Sequence, residues 1–238
     1  MANKSAKQKL VVLTGAGISA ESGLATFRDT NGLWKQYDAK KLASLDGFKE
    51  NPQAVLDFYN YRRNELLNAK PNYAHLLLAE LEKYYKVTII TQNVDNLHER
   101  AGSTHVIHLH GELTKVTSSK DKLNPRYIKD YPLNIPIRIG DKAGDDSQLR
   151  PFIVWFGESV YAMEVAIDWI TDADIFIVIG TSLTVYPAAN LVEYVRSEAI
   201  KFIIDPTDLS AKLPNGFSHI QDYATSGVKR LVNELVLN

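Results

Sequence analysis

Four short apolar runs punctuate the chain, at Leu10–Leu13, Val87–Ile90, Ile175–Ile179 and Phe202–Ile204. They are continuous rather than alternating, the pattern of parallel strands buried on both faces. Helical patterns separate them. Asn51 followed by Pro52 predicts a helix start running to about Leu67. Asn72 opens a second helix, apolar at Leu76, Leu77, Leu78 and Leu81; Pro187 begins a third; the tail from Ser226 to Leu237 reads as a last amphipathic helix. Strands alternating with helices predict a doubly wound α/β fold, a Rossmann-like parallel sheet carrying a smaller inserted part. Two stretches break the alternation. Residues 33–67 read as a helical module, and Thr114–Arg150 has turn residues and short β-prone pieces without a helix period. The expected organisation is one catalytic-size domain over 1–238. Its large part comprises 1–32, 68–113 and 151–238, and its small part comprises 33–67 and 114–150.

Composition narrows the function classes. The chain has 238 residues, 45% of them hydrophobic and 23% charged, with a formal net charge of -1. These are values of an ordinary globular protein, with no electrostatic argument for a nucleic-acid or anionic-membrane partner. There is no cysteine, which removes disulfides, a cysteine-based zinc site and a cysteine nucleophile together. No signal-like or membrane-length apolar run is present, so the expected location is cytoplasmic. Oligomeric state is not written in this pattern.

Three clusters carry candidate chemistry. In "VVLTGAGISAESG" a strand runs through Gly15, Ala16 and Gly17 into a helix, an arrangement that presents backbone N–H groups to a phosphate. The usual dinucleotide fingerprint would have glycine where Ala20 stands. The same small residues also let two elements pack closely, and the turn alone leaves both readings open. In "TQNVDNLHERAG", Gln92, Asn93 and Asp95 follow a strand's carboxyl end, where open α/β sheets hold ligands. Amide and carboxylate together can pair both sides of a carboxamide, or they can form an Asx-rich helix-capping turn. In "HVIHLHGEL", His108 and His110 are two apart and face one way if they share a strand. They lack a third metal ligand at suitable spacing. A histidine there is also suited to proton abstraction near neutral pH. His75 and His219 read as structural.

Taken in order, "GAGISAESGLATFRDTNGLW", "TQNVDNLH", "HGEL", "VWFGE" and "GTS" resemble the sirtuins, the NAD-dependent protein-lysine deacylases, from near Leu10 to the final helix. The resemblance implies that Gly15, Ala16 and Gly17 approach the NAD pyrophosphate. It places Glu21, Phe27, Arg28 and Trp34 around a cofactor loop. Gln92, Asn93 and Asp95 would meet the nicotinamide carboxamide, with Asn93 counted as catalytic alongside His110, the general base on a ribose hydroxyl. Gly180, Thr181, Ser182, Asp205 and Ala224 would meet the adenosine side. Products would be free lysine, nicotinamide and O-acyl-ADP-ribose. Acyl-lysine protein or peptide substrates would add as a β-strand along Val154, Phe156, Gly157 and Glu158. The pair Tyr59 and Arg62, on one face of the predicted helix, resembles the Tyr-x-x-Arg of sirtuins that remove succinyl, malonyl or glutaryl groups; Ala39 would widen that acyl pocket. Without the family, Arg62 reads as a solvated surface cation. Two other readings use the same NAD site, a mono-ADP-ribosyltransferase and an NAD sensor without turnover; His110 with Asn93 and Asp95 favours the deacylase.

The chain departs from the family in one respect that changes structure. The small part normally holds a structural zinc on four cysteines, and Thr114–Arg150 contains neither cysteine nor histidine. No metal is expected. The expected substitute is a small apolar core of Ile128, Tyr131, Leu133, Ile135, Ile137 and Ile139, with Pro125, Pro132 and Pro136 stiffening the loops. Lys115–Lys129 is expected to be mobile. Near "FIIDPTD", Ile203 and Asp205 stand where the family often has Asn and Glu.

Overall fold

The computed structural model describes residues 7–25, 39–211 and 213–237. Phe27, Arg28 and Trp34 lie outside the described residues. The apolar runs become the strands β1 (Lys9–Thr14), β2 (Lys86–Thr91), β7 (Ile175–Ile179) and β8 (Ile200–Ile204). With β3 (Val106–His108) and β9 (Phe217–Ile220) they form a six-stranded sheet in the order β3-β2-β1-β7-β8-β9, every pairing parallel. The chain builds outward from β1 to β3, then returns to β7 on the other side of β1. The order therefore reverses between β1 and β7, and a reversal of this kind opens a crevice at the carboxyl ends of the strands.

Continuous apolar strands follow from burial on both sides. Leu10, Val12, Ile89, Ile177 and Phe202 face one layer, made by α5 (Tyr73–Glu80) and the final helix α8 (Ala224–Leu237). Val11, Leu13, Ile90, Phe176 and Ile203 face the other, made by α7 (Met163–Thr171) and the segment around Leu191. Each such side chain contributes about 1.5–3 kcal/mol relative to remaining exposed. The helix predicted at Pro52 is α4 (Pro52–Asn68), its first turn closed by the Asn51 side chain, which accepts from Ala54 N at 3.0 Å. Asn72 likewise caps α5, and His75 completes the reciprocal bond, which bears out its structural reading. The helix expected from Pro187 is instead a 3₁₀ helix over Ala188–Tyr194. Few residues remain before β8 must begin at Ile200, and the 3₁₀ rise of about 2.0 Å per residue covers more distance than an α-helix.

The remaining elements flank the crevice or build a second sheet. Short helices α1 (Ala16–Ala20), α2 (Ala39–Leu42), α3 (Leu45–Glu50) and α6 (Leu97–Ala101) flank the crevice and α4. Strand β4 (Gly111–Ser118) pairs antiparallel with β5 (Lys129–Asp130) and β6 (Leu149–Ile153) in a three-stranded sheet. The apolar core expected here forms in part, with Leu133 packed against a cluster that includes Leu113, Ile153 and Trp155. Ile137 is buried with Val116 and Leu56, and Tyr131 packs against them, but Ile135 and Ile139 are 43% and 49% exposed.

Hydrogen bonding adds to this packing. Buried Arg63 donates Nη1 to Leu113 O and Nη2 to Pro132 O (2.6 Å) and Tyr131 O (3.3 Å). Asn60 pairs both ways with the Ile137 backbone at 2.8 Å. Arg150, lying 3.2 Å over the Trp155 ring, meets Glu158 at 2.8 Å, and Lys122 meets the same carboxylate at 3.0 Å. Three strands and these bonds give the stretch a fixed place between β4 and β6. Among the described residues no cluster of three or more His, Cys, Asp or Glu side chains could hold a metal ion, and no helix is long and apolar enough to cross a membrane.

Candidate active site

The glycine turn lies at the point where the sheet order reverses. Gly15 N donates to Ile179 O (3.0 Å) and Gly17 N to Gly180 O (2.8 Å), so the turn after β1 is bonded to the turn after β7. A Cβ on Gly15 would stand 2.6 Å from Thr181 Cβ, and one on Gly17 would stand 2.6 Å from Gly180 Cα. Gly180, at φ +60°, would in return strike the Ile18 nitrogen at 2.5 Å. Close packing of two backbones thus explains these glycines. The reading of the turn as a row of open donors needs correcting, because the N–H groups of Gly15 and Gly17 are already paired inside the protein. Ala16 and Gly17 remain half-exposed at the crevice.

Residues after β2 converge on the same point. Asn93 Nδ2 donates to Gly15 O and to Ser19 Oγ, both at 3.1 Å, while Ser19 Oγ donates to Asp95 Oδ2 at 2.9 Å. Leu97 N donates to Asp95 Oδ1 at 3.1 Å, so the carboxylate also caps α6. Asn93 and Asp95 are buried. Burial pushes the Asp95 carboxyl up, and the Leu97 and Ser19 donors hold it back. Gln92 Nε2 reaches Thr181 Oγ1 at 3.1 Å, joining the β2 and β7 turns. Behind them, Thr14 Oγ1 bonds Thr91 Oγ1 (2.8 Å) and His98 Nε2 (3.1 Å). Ser19 was missed in the sequence. It lies four residues after Gly15, one helical turn along the same face.

The two histidines of "HVIHLHGEL" do not share a strand. Strand β3 ends at His108, the chain bends through Leu109 and His110, and β4 starts at Gly111 with φ +81°. The expectation that both rings face one way from a single strand is therefore corrected. His110 Nδ1 lies 2.9 Å from Gln92 O. A carbonyl only accepts, so Nδ1 carries the hydrogen and Nε2 keeps a lone pair in the neutral ring. Burial pulls the His110 pKa below its usual value, which keeps that lone pair available at neutral pH.

Several expected site residues are engaged elsewhere. Glu158 accepts from Trp155 N (2.8 Å) and pairs with Arg150 and Lys122, so its carboxylate fastens β6 to Lys122. Phe156 donates its N–H to Ala43 O (2.7 Å) and accepts from Leu45 N (3.5 Å), so its backbone already has a strand-like neighbour. Val154 N donates to His110 O at 2.9 Å. Gly157, at φ +90°, is exposed. Glu21 accepts from Thr225 N (2.9 Å) and Thr225 Oγ1 (2.6 Å), tying the end of α1 to α8. Ala224 is buried in the apolar layer beside the sheet. Buried Asp205 accepts from Thr207 N (2.8 Å) in an Asx turn, and its carbonyl faces His219 Nε2 at 3.0 Å. Ser182 Oγ lies 2.7 Å from Thr184 Oγ1.

On α4, Tyr59 and Arg62 occupy one face, one turn apart. Tyr59 is buried, its ring 6.1 Å from that of Trp155. Burial drives the phenol pKa upward, against the charges of Arg150 and Arg62 nearby, so the ring keeps its hydroxyl hydrogen. Arg62 Nε lies 3.6 Å from Glu65 Oε2, both side chains mostly buried. Ala39 opens α2.

Comparison with known proteins agrees with this geometry. The Sir2 family model matches residues 15–187. An NAD-dependent protein deacylase of Bacteroides thetaiotaomicron is 54% identical over 230 residues, covering 96% of this chain and 98% of its own. The crystal structure of a Sir2 homolog–NAD complex superposes with a TM-score of 0.85 at 38% identity, covering 96% of this chain and 90% of its own. A Sir2 protein bound to acetylated peptide superposes at 0.77, with 30% identity over 98% of this chain and 95% of its own. The chain belongs to the Sir2 family.

Proposed function

We propose that the chain is an NAD-dependent protein-lysine deacylase whose acyl pocket favours acyl groups ending in a carboxylate, with deacetylation alongside. The observation that carries the enzymatic reading is the convergence of Asn93, Asp95 and His110 on the crevice between β1 and β7. The residues present fit NAD: Ala16 and Gly17 stay half-exposed at the crevice, and the buried amide and carboxylate match the acceptor and donors of a carboxamide. NAD, when bound, supplies the ADP-ribosyl group that receives the acyl group as nicotinamide departs.

The chain's own residues then have distinct tasks. Asn93 and Asp95, fixed by Ser19, hold the carboxamide end in one orientation. His110 Nε2 takes a proton from a hydroxyl, its Nδ1–H anchored on Gln92 O. Gln92 and Thr181 keep the β2 and β7 turns in register around the crevice. Acyl-lysine peptides add as a strand beside Gly157, since Phe156 already pairs with Ala43 and Leu45.

The acyl preference rests on Tyr59 and Arg62. A guanidinium beside a protonated phenol offers a charge-assisted bond and a neutral donor to a terminal carboxylate. Arg62 is already paired in the ligand-free protein, Glu65 Oε2 lying 3.6 Å from its Nε, so a substrate carboxylate has to compete with the partners Arg62 holds there. Mass spectrometry of NAD with acetyl- and succinyl-lysine peptides tests the reaction. Native protein should yield deacylated peptide, nicotinamide and O-acyl-ADP-ribose, and His110→Ala should retain NAD binding while losing about 10²-fold or more in turnover. Peptide that stays acylated while a protein gains ADP-ribose would overturn the proposal.

A further inference from the structure

His108 lies two residues before His110 and is anchored to the next carbonyl along the same segment. Its Nδ1 lies 3.1 Å from Asn93 O and its Nε2 lies 2.7 Å from Glu99 Oε1. A carbonyl and a carboxylate are both acceptors. Satisfying both contacts requires a hydrogen on each ring nitrogen, which makes His108 an imidazolium. The ring is buried, whereas the Glu99 side chain is 39% exposed, so the pair exchanges its proton with solvent through the carboxylate. Asp95 stands two residues beyond the Asn93 carbonyl that His108 holds; burial pushes its carboxyl up, and the charges of His108 and Glu99 act on it in opposite directions.

We infer that His108 and Glu99 form an ion pair that positions Asn93, thereby setting the affinity of this site for nicotinamide, both as leaving group and as inhibitor. This rests on the proposed NAD reading. His108 is a positioning residue, acting through Asn93. Other charged or titratable groups that face it are Glu112 on β4 and His98 on α6, and Lys115 on β4 faces Glu99. His98 is held neutral by burial, so the anions dominate around the ring. The contrast with His110 is local. Both rings spend Nδ1 on a carbonyl, but only His108 has a carboxylate on Nε2. Two histidines two residues apart thus take opposite charge states.

The test has two arms. Histidine ring NMR of the ligand-free protein should show His108 protonated on both nitrogens at pH 7, titrating above the usual histidine range, while His110 titrates below it. In the kinetic arm, Glu99→Gln keeps an acceptor but removes the charge. Inhibition by nicotinamide should weaken about tenfold, the size of a lost charge-assisted interaction. Inhibition of the native protein should also weaken as pH rises through the His108 titration, and that transition should move to lower pH in Glu99→Gln. A neutral His108 at pH 7, or a Glu99→Gln protein with unchanged inhibition and pH dependence, overturns the inference. A native protein that releases no nicotinamide from NAD overturns the enzyme reading and this role together, while the NMR arm still decides the charge state. Should Glu99→Gln fail to fold, native NMR and the native pH dependence of inhibition remain decisive.

Discussion

The large sheet and the small three-stranded part are held together by different forces. Around β1, β2, β7 and β8 two apolar layers close on a sheet whose strands need no alternation, and the polar groups there belong to the crevice. Around β4 to β6 the apolar packing is split between a cluster holding Leu113, Ile153 and Trp155 and a smaller one at Val116 and Ile137, and two arginines, one asparagine and a carboxylate supply further connections. A hydrophobic layer tolerates many sequences. A guanidinium shared among carbonyls tolerates few, because an unpaired buried donor or acceptor costs more than the bond contributes.

Substitutions that separate these two mechanisms have graded effects. Arg63→Met strips the carbonyls of Leu113, Tyr131 and Pro132 of their donor and should cost about 3–5 kcal/mol, read from chemical denaturation. Limited proteolysis should then cut first within 120–140. A loss below about 1 kcal/mol would return the task to the apolar side chains. Gly17→Ala forces a Cβ against the Gly180 backbone and should cost about 1–3 kcal/mol, with weakened NAD binding by calorimetry. Unchanged NAD affinity would separate the turn from the cofactor.

Acid should act mainly through the large part. His75 is pulled to about 4 and His98 well below its usual range, both by burial, and their rings meet edge to face at 4.9 Å. Folded-state values lie below the unfolded value near 6.5, so this stability is present above pH 6.5 and lost as pH falls toward 4. The loss should be on the order of 1–3 kcal/mol, visible as a falling Tm, and His75→Gln should flatten it. The smallest effect belongs to Ile139→Ser, which should change stability by less than about 0.5 kcal/mol because that side chain is exposed.

Much of this was legible in the chain itself. Four apolar runs located the central strands, and Asn51-Pro52 and Asn72 located two helix starts through their caps. The motif residues Gly15, Asn93, Asp95 and His110 were legible as chemistry because small, amide and imidazole side chains follow strand ends. What escaped was set by tertiary partners. Arg63 reads as a second solvated cation beside Arg62 until β4 and the Tyr131–Pro132 carbonyls arrive around it. Ile135 and Ile139 look like core by composition, yet the loop they occupy turns them outward. Glu158 lies within a substrate-like motif and is spent on Arg150. His108 and His110 share a two-residue spacing, and only the bend at Leu109 sends them to different partners.

The most direct measurement is a competition in which native protein and Arg62→Met each receive NAD with equal acetyl- and succinyl-lysine peptide, followed by mass spectrometry. The account predicts preferential desuccinylation by the native protein. It also predicts a succinyl kcat/KM reduced by about 10²-fold in Arg62→Met, as for a lost charge-assisted pair, with deacetylation retained. Equal loss of both activities, or succinyl turnover indifferent to Arg62, would contradict it.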